Sequence, residues 1–293
     1  MDAMRSKGYR IEELCAAFEV SRSGYYGHLC KERAPRRRQD AQLRPLVARA
    51  FHESRRSYGT PRLRAALRRT GACLSRERIA RLMREAGLQP LQKRRRFIPR
   101  TTIADPTATP AANLLLEAAP PTRIDEVWVC DITYIPTAEG WLYLAAVMDL
   151  CSRRILGWAT AASLHTPLVT EAWSRARATR ARATRARSSL RGTIVHSDRG
   201  TQYTSAEHRG LLQLTGMCAS MSRTANCYDN AAMESFWASL KTEAFHSVPD
   251  SRAGARVIIH DYIDAFYNTR RLHSSLHFKS PLEFEHSPPN SLN

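Results

Sequence analysis

Asp131, Asp198 and Glu234 are three carboxylic acids whose local settings suit metal chemistry. Asp198 lies in TIVHSDRGTQYTS (residues 193–205), just after the apolar pair Ile194-Val195, and Arg199-Gly200 then turns the chain. It is expected at the C-terminal end of a strand, where open α/β sheets place their chemistry. Glu234 lies in SRTANCYDNAAMESFWASLKTE (residues 222–243), which reads as a helix that Asp229 or Asn230 can cap. Met233, Trp237, Leu240 and Ala244 form its buried stripe, with Glu234 on the flank in the first turn and Lys241 two turns along the same face. Asp131 stands inside VWVCDITYI (residues 127–135), an apolar run of β-formers that reads as a central strand. An ionised carboxylate there is costly unless it is paired or coordinates a metal. Two such acids can hold Mg²⁺ through hard oxygen ligands. A third makes a two-metal site, its ions roughly 3.5–4 Å apart, suited to in-line displacement at phosphorus.

Each residue taken singly has an ordinary reading as well. Asp131 could be a buried structural acid, and Asp198 a turn residue before Gly200. Glu234 could complement the positive end of its helix, and Lys241 could be a solvated surface lysine. Only their joint order, spacing and local words favour a site.

Those words resemble the catalytic subunit of bacterial transposases of the insertion-sequence-three family, whose catalytic domain is similar to retroviral integrase. WVCDITYI, HSDRGTQYTS, NCYDNAAMESF and, near the end, YNTRRLHSSL all match, over roughly residues 42–285. The family's Asp, Asp, Glu triad has 35 residues between its last two members, and 35 residues separate Asp198 from Glu234 here. A basic residue follows the family's Glu by seven positions, as Lys241 does. One departure stands out: the family's Lys-Gly before Asn-Cys is Thr224-Ala225.

Charge separates the chain into two parts. Net charge is +18, and residues 1–100 carry 26 Lys and Arg against 9 Asp and Glu, while residues 101–293 carry 19 against 18. A polycationic N-terminal third beside a nearly neutral remainder points to nucleic acid for the basic part. The seven Cys are scattered singly, which fits reduced thiols and supports no zinc site. No apolar run reaches the ~18–20 residues that span a bilayer, and the N-terminus lacks a signal-peptide h-region.

The elements that must position the acids follow from pattern. Residues 1–38 read as an N-terminal helical segment. Its stripe is Ile11, Leu14, Cys15 and Phe18, and Ser21 caps a second helix through Tyr25, Tyr26 and Leu29; a helix-turn-helix and a plain helical hairpin are equally open. Residues 39–88 read as three helices of a helix-turn-helix-like DNA-binding region, with Pro61 at a first turn and Ser75 as a cap. Arg76, Arg78 and Arg81 lie off the apolar stripe there and are candidate phosphate contacts. Residues 89–124 form a Pro-rich linker carrying the basic run Lys93, Arg94, Arg95 and Arg96. Residues 125–285 are the catalytic core, and 286–293 a tail. Three strands followed by alternating helix and strand fit an α/β, ribonuclease-H-like mixed sheet with flanking helices, as the resemblance also implies. Arg270 and Arg271, in the YNTRRLH word, are either DNA contacts or a structural brace. Residues 175–187 read RARAT-RARAT-RAR, a five-residue repeat matching no helix or strand face. They are expected to be exposed, and removal of residues 180–184 to leave folding nearly unchanged.

The expected activity is metal-dependent strand cleavage and strand transfer at the ends of an insertion sequence. The resemblance implies Asp131, Asp198 and Glu234 as ligands of two Mg²⁺, with Mn²⁺ able to substitute, and Lys241 on terminal phosphates. Expected partners are double-stranded DNA (terminal inverted repeats and target), further copies of the chain on that DNA, and an upstream-frame helix-turn-helix protein fused to or paired with it. A membrane is not expected; the expected location is the bacterial cytoplasm, on the nucleoid. A DNA-binding protein without catalysis and a nuclease acting on RNA–DNA hybrids are the competing readings.

Overall fold

The computed structural model describes residue 4 and residues 7–33, 35–91, 110–116, 118–183, 190–222 and 230–287. Lys93 to Arg96, the linker prolines Pro99 and Pro106, Thr224-Ala225, Asp229 and the end of the Arg repeat lie outside the described residues. The chain divides into two compact units, Met1–Pro90 and Leu91–Asn293. Among the described residues no helix is long and apolar enough to cross a membrane.

The first unit is all-helical: α1 Ile11–Ala17, α2 Arg22–Arg33, α3 Pro35–Glu53, α4 Thr60–Arg69 and α5 Arg76–Glu85. Helix α3 runs without a break through residues 38 and 39. Val47, Phe51, Leu63, Leu67, Ile79, Leu82 and Met83 are buried and build the core of the last three helices. Their ends follow local chemistry. Pro61 opens α4, where its missing N–H costs nothing. Ser75 caps α5 by accepting from the Arg78 amide. Gly71 and Gly87, at φ 84° and 64°, take the left-handed turn beyond each helix. Phe18 departs from expectation: α1 ends at Ala17, and the Phe18 ring is exposed.

The second unit is built on a five-stranded mixed sheet of order β3-β2-β1-β4-β5. Strands β1 (Val127–Thr137), β2 (Gly140–Asp149) and β3 (Ile155–Ala161) form an antiparallel meander. Strand β4 (Ile194–Ser197) lies parallel to β1, and β5 (Cys218–Met221) parallel to β4. Helices cover both faces: α6 (Thr166–Ala183), the short α7 (Thr201–Thr204) and α8 (Ala206–Thr215) on one, α9 (Ala231–Glu243) and α10 (Arg252–His260) on the other. A π-helical stretch, Asp261–Tyr267, continues α10, and α11 (Pro281–Glu285) ends the described chain.

The near-continuous apolar run of β1 is the mark of a strand buried on both faces. Its side chains alternate between two cores. Val127, Val129 and Ile135 pack with Met233, Phe236, Trp237 and Leu240 of α9. Trp128 and Cys130 pack with Leu168, Val169, Ala172, Trp173 and Ala176 of α6. Helix α6 rides very close to β3 at Gly157, where a Cβ would stand 2.2 Å from the Ala172 carbonyl oxygen. Only glycine fits there.

The Arg repeat overturns its expectation. Helix α6 takes in its first residues, and the helical steps 173, 176 and 180 put Trp173, Ala176 and Arg180 on one inward face. The Arg180 side chain is 3% exposed and meets three carboxylates, Asp125 at 2.7 Å, Asp149 at 3.2 Å and Glu285 at 2.8 Å. A period of five carries no face of its own, yet one of its arginines falls on the helix face that the fold buries.

Candidate active site

Strand pairing brings the first two acids together. Strands β1 and β4 run parallel with Val127 opposite Ile194, Trp128 opposite Val195 and Val129 opposite His196. Continuing that register by two residues sets Asp131 beside Asp198, which directly follows the last residue of β4. Asp198 opens the turn: its Oδ1 accepts from the Gly200 amide at 3.1 Å. A Cβ at Gly200 would lie 3.1 Å from that same Oδ1 and 2.9 Å from Gln202 Oε1, both ends of side chains that can shift.

Helix α9 brings the third acid. Met233, Trp237 and Leu240 are buried against β1 as the stripe requires, which leaves Glu234 exposed in the first turn. Asn230 occupies the cap position without making a cap bond. Its Nδ2 instead donates to the Cys130 carbonyl at 3.5 Å, joining the helix start to β1 beside Asp131. Farther along the helix, Lys241 Nζ sits 4.8 Å from the centre of the Tyr134 ring.

Electrostatics mark the same spot. Burial pushes the Asp131 carboxyl up to about 7, and repulsion from Asp198 and, more weakly, Glu234 adds to it. Two neutral donors oppose the shift: Asp131 Oδ2 accepts from Trp237 Nε1 at 2.8 Å, and Oδ1 from the Ile132 amide at 2.8 Å. Tyr203 on α7 is buried, and its phenol is raised by burial first and then by Cys130, Asp131 and Asp198. Among the described residues, no three His, Cys, Asp or Glu side chains stand close enough together to hold a metal ion. The donor chemistry is nonetheless hard oxygen throughout, and the mutual repulsion of the acids is the kind a cation relieves.

The other predicted contacts divide. Arg76 is exposed at the start of α5. Arg78 and Arg81 both bind the buried Asp40 carboxylate of α3, at 2.7 and 2.6 Å, and Arg81 also meets Glu85. These two brace α5 to α3. Arg270 is exposed, whereas Arg271 is buried: it pairs with Glu243 at 2.6 Å and donates to Ser239 Oγ. Arg271 is thus the brace of the two alternatives, holding the far end of the Glu234 helix. Nearby, Asn268 clamps β3, donating to the Ile155 carbonyl and accepting from the Ile155 amide, both at 2.9 Å. Sequence reasoning placed Trp237 only in the apolar stripe and gave Tyr203 no part. Trp237's polar contact is with a residue 106 positions away.

The mixed sheet with helices on both faces belongs to a polynucleotidyl transferase of the integrase-core class. The family description "Integrase core domain" matches residues 121–227 and, in a second form, 215–281, and "HTH-like domain" matches residues 37–96. The "Insertion element IS600 uncharacterized 31 kDa protein" of Shigella sonnei is 39% identical over 92% of this chain and 97% of its own. The "Transposase for insertion sequence element IS904" of Lactococcus lactis is 36% identical over 83% and 93%. The "Transposase InsF for insertion sequence IS3A" of Escherichia coli is 36% identical over 94% of each. The chain belongs to the insertion-sequence-three family of transposases, enzymes of DNA transposition and integration.

Proposed function

We propose that this transposase cleaves DNA at the ends of its insertion sequence and joins them to a target, with Asp131, Asp198 and Glu234 as the ligands of two Mg²⁺. The observation that supports this reading is the parallel β1–β4 register, whose continuation puts Asp131 level with Asp198, with the start of the Glu234 helix tied to Cys130 through Asn230. Bound there, the ions would activate water and then the freed 3′-hydroxyl, and stabilise the leaving oxygen; Mn²⁺ would serve in the same role. The chain's own part is to hold the carboxylates in place and the DNA in line. Lys241, at the far end of the same helix, receives phosphates of the terminal nucleotides. Arg76, Arg270 and the run Lys93, Arg94, Arg95 and Arg96 contact the DNA backbone, where phosphate contacts dominate affinity. Arg78 and Arg81 keep a secondary role, since Asp40 engages them. Neither a covalent protein–DNA bond nor a histidine base is needed. The active form is an assembly of several chains on the two element ends, alone or with the upstream-frame protein.

Glu234→Gln tests the reading, because it keeps size and hydrogen bonding but removes the charge. Cleavage of a labelled element end and its transfer to a target plasmid should fall together by more than about 100-fold, above the range for a group that merely supports a ligand. DNA binding, measured by fluorescence anisotropy, should persist. Near-normal strand transfer by this variant would defeat the assignment.

A further inference from the structure

Trp237 lies one turn beyond Glu234 on α9, and its ring is buried in the core between α9 and the sheet. Its single polar atom does not point to solvent. It donates to Asp131 Oδ2 at 2.8 Å, while the Ile132 amide holds Oδ1. Each Asp131 oxygen therefore has one neutral N–H donor and keeps a lone-pair direction for a cation. An indole N–H donates and cannot accept, and it carries no charge. It can fix a carboxylate without placing a positive group where a divalent ion must sit, as an Arg or Lys donor would. The ring is rigid and wedged among Phe236 and the core residues of β1, so the bond also fixes the height of α9, and with it Glu234, along β1.

We infer that Trp237 is a positioning residue for the metal site: its indole N–H orients the Asp131 carboxylate for the cation and sets the Glu234 helix at the matching level. This rests on the proposal that Asp131, Asp198 and Glu234 are the ligands. Groups that hydrogen-bond a metal ligand typically change metal affinity by about 10–100-fold when removed.

The full chain, Trp237→Phe, Asp131→Asn and Trp158→Phe are compared by thermal unfolding across a Mg²⁺ titration and by end cleavage over the same titration. Trp158 also donates to a carboxylate, Asp264 at 3.3 Å, two strands from Asp131, and so controls for loss of an indole bond as such. The wild-type chain should be stabilised saturably by Mg²⁺, and Asp131→Asn should not respond. Trp237→Phe should need about 10–100-fold more Mg²⁺ for half its stabilisation and for half its activity, with the cleavage rate recovering at saturation. Trp158→Phe should keep the wild-type midpoint. An unchanged midpoint in Trp237→Phe, whatever its melting temperature, overturns the inference while leaving the ligand assignment intact. A wild-type chain indifferent to Mg²⁺ removes the ligand assignment and the inference with it. Should Trp237→Phe not fold, the indole ¹⁵N–¹H spectrum of the wild-type chain decides: one signal should move both on adding Mg²⁺ and in Asp131→Asn. The absence of any such signal overturns the inference.

Discussion

Two sets of acids flank the central strand of the sheet, and their surroundings are opposite in kind. Before β1, Asp125, Asp149 and Glu285 surround the Arg180 guanidinium. Ser152 and the Asp125 amide fill further acceptor positions on Asp149, at 2.8 and 2.7 Å. Six residues along β1, Asp131 meets the repulsion of Asp198 and Glu234, and its hydrogen bonds come from neutral donors. Glu285 and Asp131 show the contrast in their titration directions, although Asp149 beside Arg180 is also raised because its burial outweighs the Ser152 and Asp125 amides and the Arg180 charge. Burial pushes Glu285 up, but the Arg180 hydrogen bond and charge outweigh it and hold the carboxyl below its ordinary value. Asp131, with no such counterweight, rises to about 7. One cluster has its cation built into the chain and acts as a staple between α6, the β2–β3 turn and α11. The other has no cation of the chain hydrogen-bonded to Asp131 and, on the proposed function, would receive one from outside.

If that contrast is right, variants at the two clusters should fail differently. The largest effect is the loss of catalysis in Glu234→Gln, which should leave the unfolding free energy within ~1 kcal/mol of wild type, since a helix-terminus charge contributes no more. Arg180→Ala should do the reverse. It strands three carboxylates, two of them within 5% of full burial. Breaking a buried pair by removing one partner costs about 3–5 kcal/mol. Urea unfolding should show that loss, and what remains folded should keep its Mg²⁺ midpoint. A stable Arg180→Ala chain with a displaced Mg²⁺ midpoint would mean that the two clusters are not separate.

These two clusters also show where the sequence could and could not be read. The catalytic acids stand in strongly patterned words: a two-sided apolar strand, a strand followed by Gly200, a helix with a clear stripe. Each word fixes its own element, so the elements carrying the acids were legible, while the case for a site came only from the order and spacing of the words together. Local caps at Ser21 and Ser75 were legible for the same reason, because the acceptor and the amide it serves are three residues apart. The staple was not. Its members are drawn from a turn, a strand end, a repeat and the last helix, and bonded partners among them lie up to 133 residues apart. Nothing in the local period of RARAT distinguishes Arg180 from its exposed neighbours. Arg271 was undecidable for the same reason, since its partner Glu243 is 28 residues away on another helix. Arg78 and Arg81 looked like a solvated basic face because Asp40 lies about 40 residues earlier.

Acid should weaken the staple through Glu285. Glu285 has its folded value depressed, so its contribution is complete above the ordinary carboxylate value of ~4.3 and is lost as pH falls below it. Glu285→Gln should therefore lose stability near neutral pH and flatten the acid dependence of the urea midpoint between about pH 5 and about pH 3. An unaltered acid slope in this variant would show that Arg180 does not hold Glu285 in its charged form.

The smallest expected effect tests whether burial, rather than charge pairing as such, distinguishes the staple. Arg123 pairs with Glu126 at 2.8 Å just before β1, but its side chain is 83% exposed. Its partner is lowered in pKa, first by the hydrogen bond from Arg123 and then by backbone amides. Water competes for both groups, and holding a long side chain in one geometry costs rotamer entropy, so exposed pairs of this kind contribute about 0–1 kcal/mol. The Thr122 and Arg123 amides would continue to satisfy Glu126 after the side chain is cut back, at 2.8 and 3.1 Å. Arg123→Ala should accordingly shift the urea midpoint barely at all, and less still at high salt. A loss approaching that of Arg180→Ala would mean that pairing near the start of β1 stabilises the sheet regardless of burial, and the distinction between a built-in cation and a received one would lose its physical basis.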